Sequence, residues 1–240
     1  MKKGETYSGI VERIDYPNKG IVRIEWMSDD DGHAVCVHVR NALPGERIDL
    51  RLLKKHRGVW QAEKLETIKT GPGVREPVCP HAADCGGCVY QKLTYEAQLE
   101  LKEEQVTRLL GPAIDGVWEG ILPSPSQTDY RNKMEFTFGD EYKDGPLTLG
   151  LHKRGAFYDI VTAEGCRICD PDFSVILRKT LSFFAARKIS FYHRMNHTGY
   201  LRHLLVRKGL HSGEILVDLV TAGRLTFSGE EGQKWNDNAA

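Results

Sequence analysis

The sequence predicts two fold classes in succession: a small closed β-barrel over residues 1–70, then an α+β domain with a mainly antiparallel sheet. Three observations carry this. Five short runs alternating apolar and polar residues, broken by Gly, Pro and Asp, fill the first part. From Pro123 onward the strand-like runs are interrupted by a 3.6-residue apolar periodicity. Three of the chain's six cysteines fall within the ten residues Cys79–Cys88, between the two parts.

The barrel runs are Tyr7–Ile14, Gly20–Trp26, Ala34–Val39, Glu46–Leu53 and Gly58–Leu65. Tyr16-Pro17-Asn18-Lys19, Asp29-Asp30-Asp31-Gly32 and Leu43-Pro44-Gly45 read as turns between them. Five short strands in this space suit an OB-type barrel, a fold often used on oligonucleotides. Residues 1–70 carry 13 Lys/Arg against 11 Asp/Glu, so charge alone does not demand a nucleic-acid partner. A barrel serving as a docking module fits the same pattern. Cys36, within a strand, is expected to be ordinary core packing.

Gly71–Pro77 has the composition of a linker and delivers the chain into Cys79-Pro80-His81-Ala82-Ala83-Asp84-Cys85-Gly86-Gly87-Cys88. Three thiols spaced this closely can face one centre only if the backbone curls around it. Gly86 and Gly87 permit the curl, and Pro80 keeps a helix from running through it. Three thiolates leave a fourth position open, and Cys166 and Cys169 are both candidates for it. Soft thiolate ligands select zinc or an iron–sulfur cluster. A triplet plus one remote cysteine suits a [4Fe-4S] cluster better than the paired short spacings of structural zinc. No apolar run follows Lys2-Lys3, and no stretch approaches a membrane span. A cytoplasmic, reducing setting is therefore expected, which favours metal ligation over disulfides.

Tyr95–Leu110 reads as a helix, with Thr94 as N-cap, Glu96 in the first turn and Gly111-Pro112 as the stop. Its apolar stripe is Tyr95, Leu99, Val106, Leu109 and Leu110. Further on, Arg131–Phe138, Leu147–His152 and Ala156–Val161 read as strands. Asp170-Pro171 opens a second helix through Lys188, with Phe173, Ile176, Leu177, Leu181 and Phe184 as its buried stripe. Tyr200–Arg207 and Glu214–Thr221 form a hairpin. Between Arg178 and His211 stand eight Lys/Arg, four His and no Asp or Glu, interleaved with Phe191, Tyr192 and Tyr200. Positive charge for phosphates beside rings for splayed bases is the pattern of single-stranded RNA recognition. A solvated basic face would look similar.

Several of these stretches together resemble the RNA (uracil-5-)-methyltransferases that carry a TRAM barrel and an iron–sulfur cluster, whose best-known members act on 23S ribosomal RNA. The matching residues are Leu43-Pro44-Gly45-Glu46, the cysteine run ending Cys85-Gly86-Gly87-Cys88, and Tyr130-Arg131-Asn132-Lys133 leading Glu135-Phe136. Gly150-Leu151-His152, Gly199–Leu204 and Gly213–Val217 match as well. The resemblance implies a TRAM barrel at 1–70, a cluster-bearing, RNA-binding central domain at 71–92 and 123–227, and a tail at 228–240. It implies that the helical segment 93–122 packs on a methyltransferase domain. It makes Cys79, Cys85, Cys88 and Cys166 the [4Fe-4S] ligands and leaves Cys169 without a role. Arg131 and Lys133 become RNA contacts through the family motif. Local charge adds Arg194, Arg202 and Arg207, and Tyr192 and Tyr200 are candidate stacking platforms.

The resemblance also implies S-adenosylmethionine as methyl donor and RNA, ribosomal by the family's best-known members, as partner. A thiolate adds to carbon 6 of uracil in such enzymes, activating carbon 5 for methylation. Yet the sequence offers no strand, Gly-rich turn and helix for that cofactor, and no thiol placed as nucleophile. Taken alone, the residues supply RNA grip and positioning, with catalysis expected from a C-terminal methyltransferase domain. A free-standing iron–sulfur RNA-binding protein, and a cluster-based electron carrier, are the alternatives.

Overall fold

The computed structural model describes residues 1–28 and 31–223. The expected tail at 228–240, and residues 29–30 of the turn expected at Asp29–Gly32, lie outside the described residues. The chain divides into two compact units, Met1–Pro77 with Val89–Pro123, and Val78–Cys88 with Ser124–Ala240.

The first unit is built on five strands: β1 (Thr6–Asp15), β2 (Lys19–Ser28), β3 (Asp31–Val39), β4 (Arg47–His56) and β5 (Val59–Lys69). They close in the order β1-β2-β3-β5-β4. Only β3 with β5 is parallel; the other pairs are antiparallel. The period of two sends Val22, Ile24, Val37, Val39, Ile48 and Leu50 to the interior. Cys36 lies on the opposite parity to Val37 and is exposed, not core as the sequence suggested. In the Leu43–Glu46 turn the Glu46 carboxylate folds under its own loop. Its Oε2 accepts from Leu43 N at 2.8 Å and Lys64 Nζ at 3.0 Å, which compensates its burial.

Gly71–Pro77 behaves as structure, not as a linker. Thr94 N donates to Gly73 O at 2.8 Å, Arg75 N to Lys92 O at 2.7 Å, and Val74 bridges Leu93. Residues 71–77 and 89–92, expected with the cysteine domain, therefore belong to the barrel unit. So does α1 (Tyr95–Leu110), capped by Thr94, whose Oγ1 accepts from Ala97 N at 3.3 Å. Leu101 joins the barrel's core, Gln105 Nε2 donates to Ile14 O at 3.2 Å, and Arg108 pairs with Asp15 at 2.9 Å. The apolar stripe predicted for this helix is on other positions: Tyr95, Leu99 and Val106 are half-buried, and Leu109 and Leu110 are exposed.

The second unit contains β6 (Lys133–Asp140), β7 (Leu147–His152), β8 (Ile160–Thr162), α2 (Pro171–Ala186), β9 (Leu201–Lys208) and β10 (Ile215–Thr221). Its antiparallel sheet runs β10-β9-β6-β7-β8. One face packs on α2, with Met134, Phe136 and Phe138 against Phe173, Leu177 and Phe184. Asp170 caps α2 through Asp172 N at 3.0 Å, as its sequence signal implied. Gly150 has a close-packing reason: a Cβ there would stand 1.9 Å from Val161 O, so only glycine lets β7 and β8 approach. The strand expected over Ala156–Val161 shrinks to β8. Lys153 N reaches Asp159 O at 2.8 Å and closes 153–159 into a turn instead.

Candidate metal centre and nucleic-acid interface

Short local hydrogen bonds curl the cysteine run. Cys85 N donates to His81 O at 2.8 Å, Ala82 N to Cys79 O at 3.2 Å, and Gly87 N to Cys85 Sγ at 3.3 Å. The curl is then fastened to the β7–β8 turn. Gly86 N donates to His152 O at 3.0 Å, Arg154 N to Asp84 O at 2.6 Å, and Cys85 bridges Lys153. The Arg154 guanidinium enters the curl, where Nη2 donates to the carbonyls of Ala82 (3.1 Å), Cys85 (3.0 Å) and Cys88 (3.0 Å). A second tie runs from the His81 ring to Glu164 O, just before Cys166.

These ties bring together the segments that hold the predicted ligands. Cys79 and Cys166 are buried, while Cys85 and Cys88 are half-buried. Burial pushes the Cys85 thiol up, with the neighbouring Cys166 and Cys79 adding to it. Cys166 is held down to about 6, chiefly by a hydrogen bond from the Cys169 thiol, and burial opposes this. Cys169 is pushed up in turn by serving as that donor. Cys169 is almost wholly buried, its Sγ 3.8 Å from Cys166 O, so a packing and hydrogen-bonding role accounts for it.

Among the described residues no three His, Cys, Asp or Glu side chains converge on a point where one metal ion would sit. A tetrahedral zinc needs all its sulfurs about 2.3 Å from a single centre. A four-iron cluster spreads its thiolates over separate irons, so it tolerates wider spacing. Arg154 Nε is buried with no hydrogen-bond partner, beside the curl. A buried, unsatisfied donor costs about 1–3 kcal/mol, and an anionic sulfur is an acceptor of the right kind.

The predicted RNA contacts occupy several places in the second unit. Lys133 and Arg207 are cross-strand partners on β6 and β9, on the sheet face opposite α2. His203 shares that face, with Thr137 Oγ1 3.4 Å from its Nδ1. Arg131 is exposed just before β6, its Nε donating to Lys133 O at 3.1 Å. Arg194 is exposed in the loop before β9, closed by His193 N to Thr198 O at 2.7 Å. Gly199 makes that loop possible: its φ is +94°, and a Cβ would lie 1.9 Å from Phe191 O. Arg202 lies over the Tyr192 ring at 4.5 Å, and Tyr192 Oη is 2.8 Å from His197 Nδ1. Tyr200 packs against the core cluster, which leaves less ring for a base.

The acid-free run from Arg178 to His211 is partly neutralised in three dimensions. Arg178 pairs with Glu164 at 2.7 Å, and Lys208 pairs with Asp170 and Asp172 at 2.7 and 2.8 Å. Arg154, His81 and the exposed pair Phe157–Tyr158 were not singled out from sequence. The run His152-Lys153-Arg154-Gly155-Ala156-Phe157-Tyr158, cations and a glycine shortly before two aromatics, is a signal for Arg154 and the ring pair but not for His81.

No family model matches the chain. Relatives do. The chain is 41% identical over 229 residues, 95% of its length, to an uncharacterized RNA methyltransferase of Clostridium acetobutylicum. It is 38% identical over 94% of its length to one of Caldanaerobacter subterraneus. Over nearly all of its own length this chain is similar to RNA methyltransferases.

The chain spans about half the length of the curated relatives it matches, 48% in both cases. A solved structure, the Pyrococcus abyssi tRNA (uracil-54, C5)-methyltransferase in complex with S-adenosyl-L-homocysteine, superposes with a TM-score of 0.61. That match covers 92% of this chain and 49% of the other at 24% identity, and so shows a shared fold. Among the described residues no helix is long and apolar enough to cross a membrane.

Proposed function

We propose that this chain is the RNA-binding, iron–sulfur-containing portion of an S-adenosylmethionine-dependent RNA (uracil-5-)-methyltransferase, acting on ribosomal RNA in the cytoplasm. The observation that carries the reading is its 41% identity to an RNA methyltransferase over nearly all its length, at half of that protein's length. The family's other half is left to hold S-adenosylmethionine, which supplies the methyl group. The work of these residues is to grip the RNA and present one uridine.

Cys79, Cys85, Cys88 and Cys166 would hold a [4Fe-4S] cluster, which supplies a covalent cross-link between the curl and the segment before α2. Arg154 and His81 already fasten those segments, so the cluster would complete a staple that fixes the β7–β8 turn. Lys133 and Arg207, side by side on the sheet, would neutralise RNA phosphates, and Arg131, Arg194 and Arg202 would add contacts elsewhere in the unit. Tyr192, with Arg202 over its ring, is the better stacking candidate; Tyr200 serves the core. Unstacking the target base costs a few kcal/mol, which these contacts offset.

The test is methyl transfer by the full-length natural protein. Ribosomal RNA from a strain lacking the gene, incubated with protein and isotopically labelled S-adenosylmethionine, should yield labelled 5-methyluridine on nucleoside digestion. Label on another nucleoside, or on transfer RNA alone, would contradict the reading.

A further inference from the structure

Phe157 and Tyr158 are 69% and 61% exposed, while Phe136 and Phe173 of the same unit are fully buried. Their rings meet edge to face, 4.9 Å between centroids and 80° between planes, at the tip of the β7–β8 turn. Nothing in the packing of the unit requires two large rings at a solvent-facing tip. Their surroundings are not those of a protein-docking patch, which would be broad and apolar. In the chain they are flanked mostly by polar and charged residues, His152, Lys153, Arg154 and Asp159 among them. A surface of that size and rim fits one nucleobase.

The turn is also stiff at its base. Lys153 N and Asp159 O close it at 2.8 Å, and Arg154 binds three carbonyls of the cysteine curl. Arg154 is thereby committed to the protein, leaving Lys153 as the cation for phosphate. Rings held on a fixed turn lose little conformational freedom on binding, which favours stacking.

We infer that the Phe157–Tyr158 turn is an RNA contact outside the sheet face, a stacking platform for an unpaired base, held in position by the cysteine curl. The inference rests on the RNA-binding reading and extends it to residues no motif assigns. Stacking needs a π-face but no charge, so it discriminates single strands from duplex and leaves the salt dependence alone.

The test compares the anaerobically purified 240-residue chain with its Phe157→Ala/Tyr158→Ala variant. The probes are a fluorescein-labelled oligouridine of about 12 nucleotides and an RNA duplex of similar length. The expected result is roughly 10-fold weaker binding of the single strand, unchanged duplex binding, an unchanged salt slope and an unchanged melting temperature. A Phe157→Leu/Tyr158→Leu variant, which keeps apolar bulk, should lose as much, and Phe157→Trp should restore stacking in the Tyr158→Ala background. Wild-type affinity in the folded alanine and leucine variants would overturn the inference and leave the RNA-binding reading standing. Equal loss on duplex and single strand would overturn it too. A wild-type chain that binds neither probe would overturn both.

Discussion

Arg154 Nη2 donates to the backbone carbonyl of Cys85 at 3.0 Å, across 69 residues of sequence. The same nitrogen serves Ala82 and Cys88, so one guanidinium gathers the cysteine curl and pins it to the β7–β8 turn. Arg154→Ala leaves those carbonyls without a charged donor and should cost about 3 kcal/mol. Urea denaturation of the folded variant measures this. Arg154→Lys should recover only part of the loss, because an ammonium cannot reproduce the guanidinium fork.

The cysteines separate by role. Cys85→Ser and Cys166→Ser should lose bound iron and yield misfolded or insoluble protein, because the staple opens. Cys169→Ser should keep its iron, since Cys169 donates to Cys166 and is not itself a ligand in this scheme. Iron content of the soluble fraction decides. Full iron in Cys166→Ser with none in Cys169→Ser would reverse the two assignments.

Gly150→Ala tests the close approach of β7 and β8. The new Cβ would fall 1.9 Å from a carbonyl oxygen, backbone that cannot turn aside. The expected cost is about 3 kcal/mol, with loss of the turn that carries Phe157 and Tyr158. Thermal melting of the variant against wild type gives the figure, and an unchanged melting temperature would contradict it.

Stability should fall in acid through Asp170. Its carboxyl is held below the usual range by the hydrogen bond from Lys208, then by Asp172 N, with burial opposing. A depressed folded pKa means the contribution is full above the unfolded value near about 4 and is lost as pH falls below it. Asp170→Ala removes the cap and the pair together and should cost about 1 kcal/mol at pH 7. That difference should shrink as the pH is lowered, which melting curves across the acid range will show.

The sequence carried the barrel and the α2-covered sheet because both follow from periodicity: alternation on Val37 and Ile48, a 3.6-residue stripe on Phe173 and Leu177. It did not carry what depends on contacts between distant segments. Leu101 and Gln105 dock α1 on the barrel although Gln105 is polar; its amide finds the Ile14 carbonyl. Gly71–Pro77 looks like linker by composition but is bonded in place by Gly73 and Arg75. The acid-free run hides that Glu164, Asp170 and Asp172 return to Arg178 and Lys208 from outside the window. The cysteine spacing was legible; Arg154, which organises the curl, was one cation among 33.

The most direct test of the cluster-bearing reading is iron and acid-labile sulfide analysis of the chain purified without oxygen, alongside zinc. About four irons and four sulfides per chain are expected, bleaching on oxidation together with loss of RNA binding. One zinc per chain without sulfide, or a metal-free protein that binds RNA as well as the anaerobic preparation does, would contradict it.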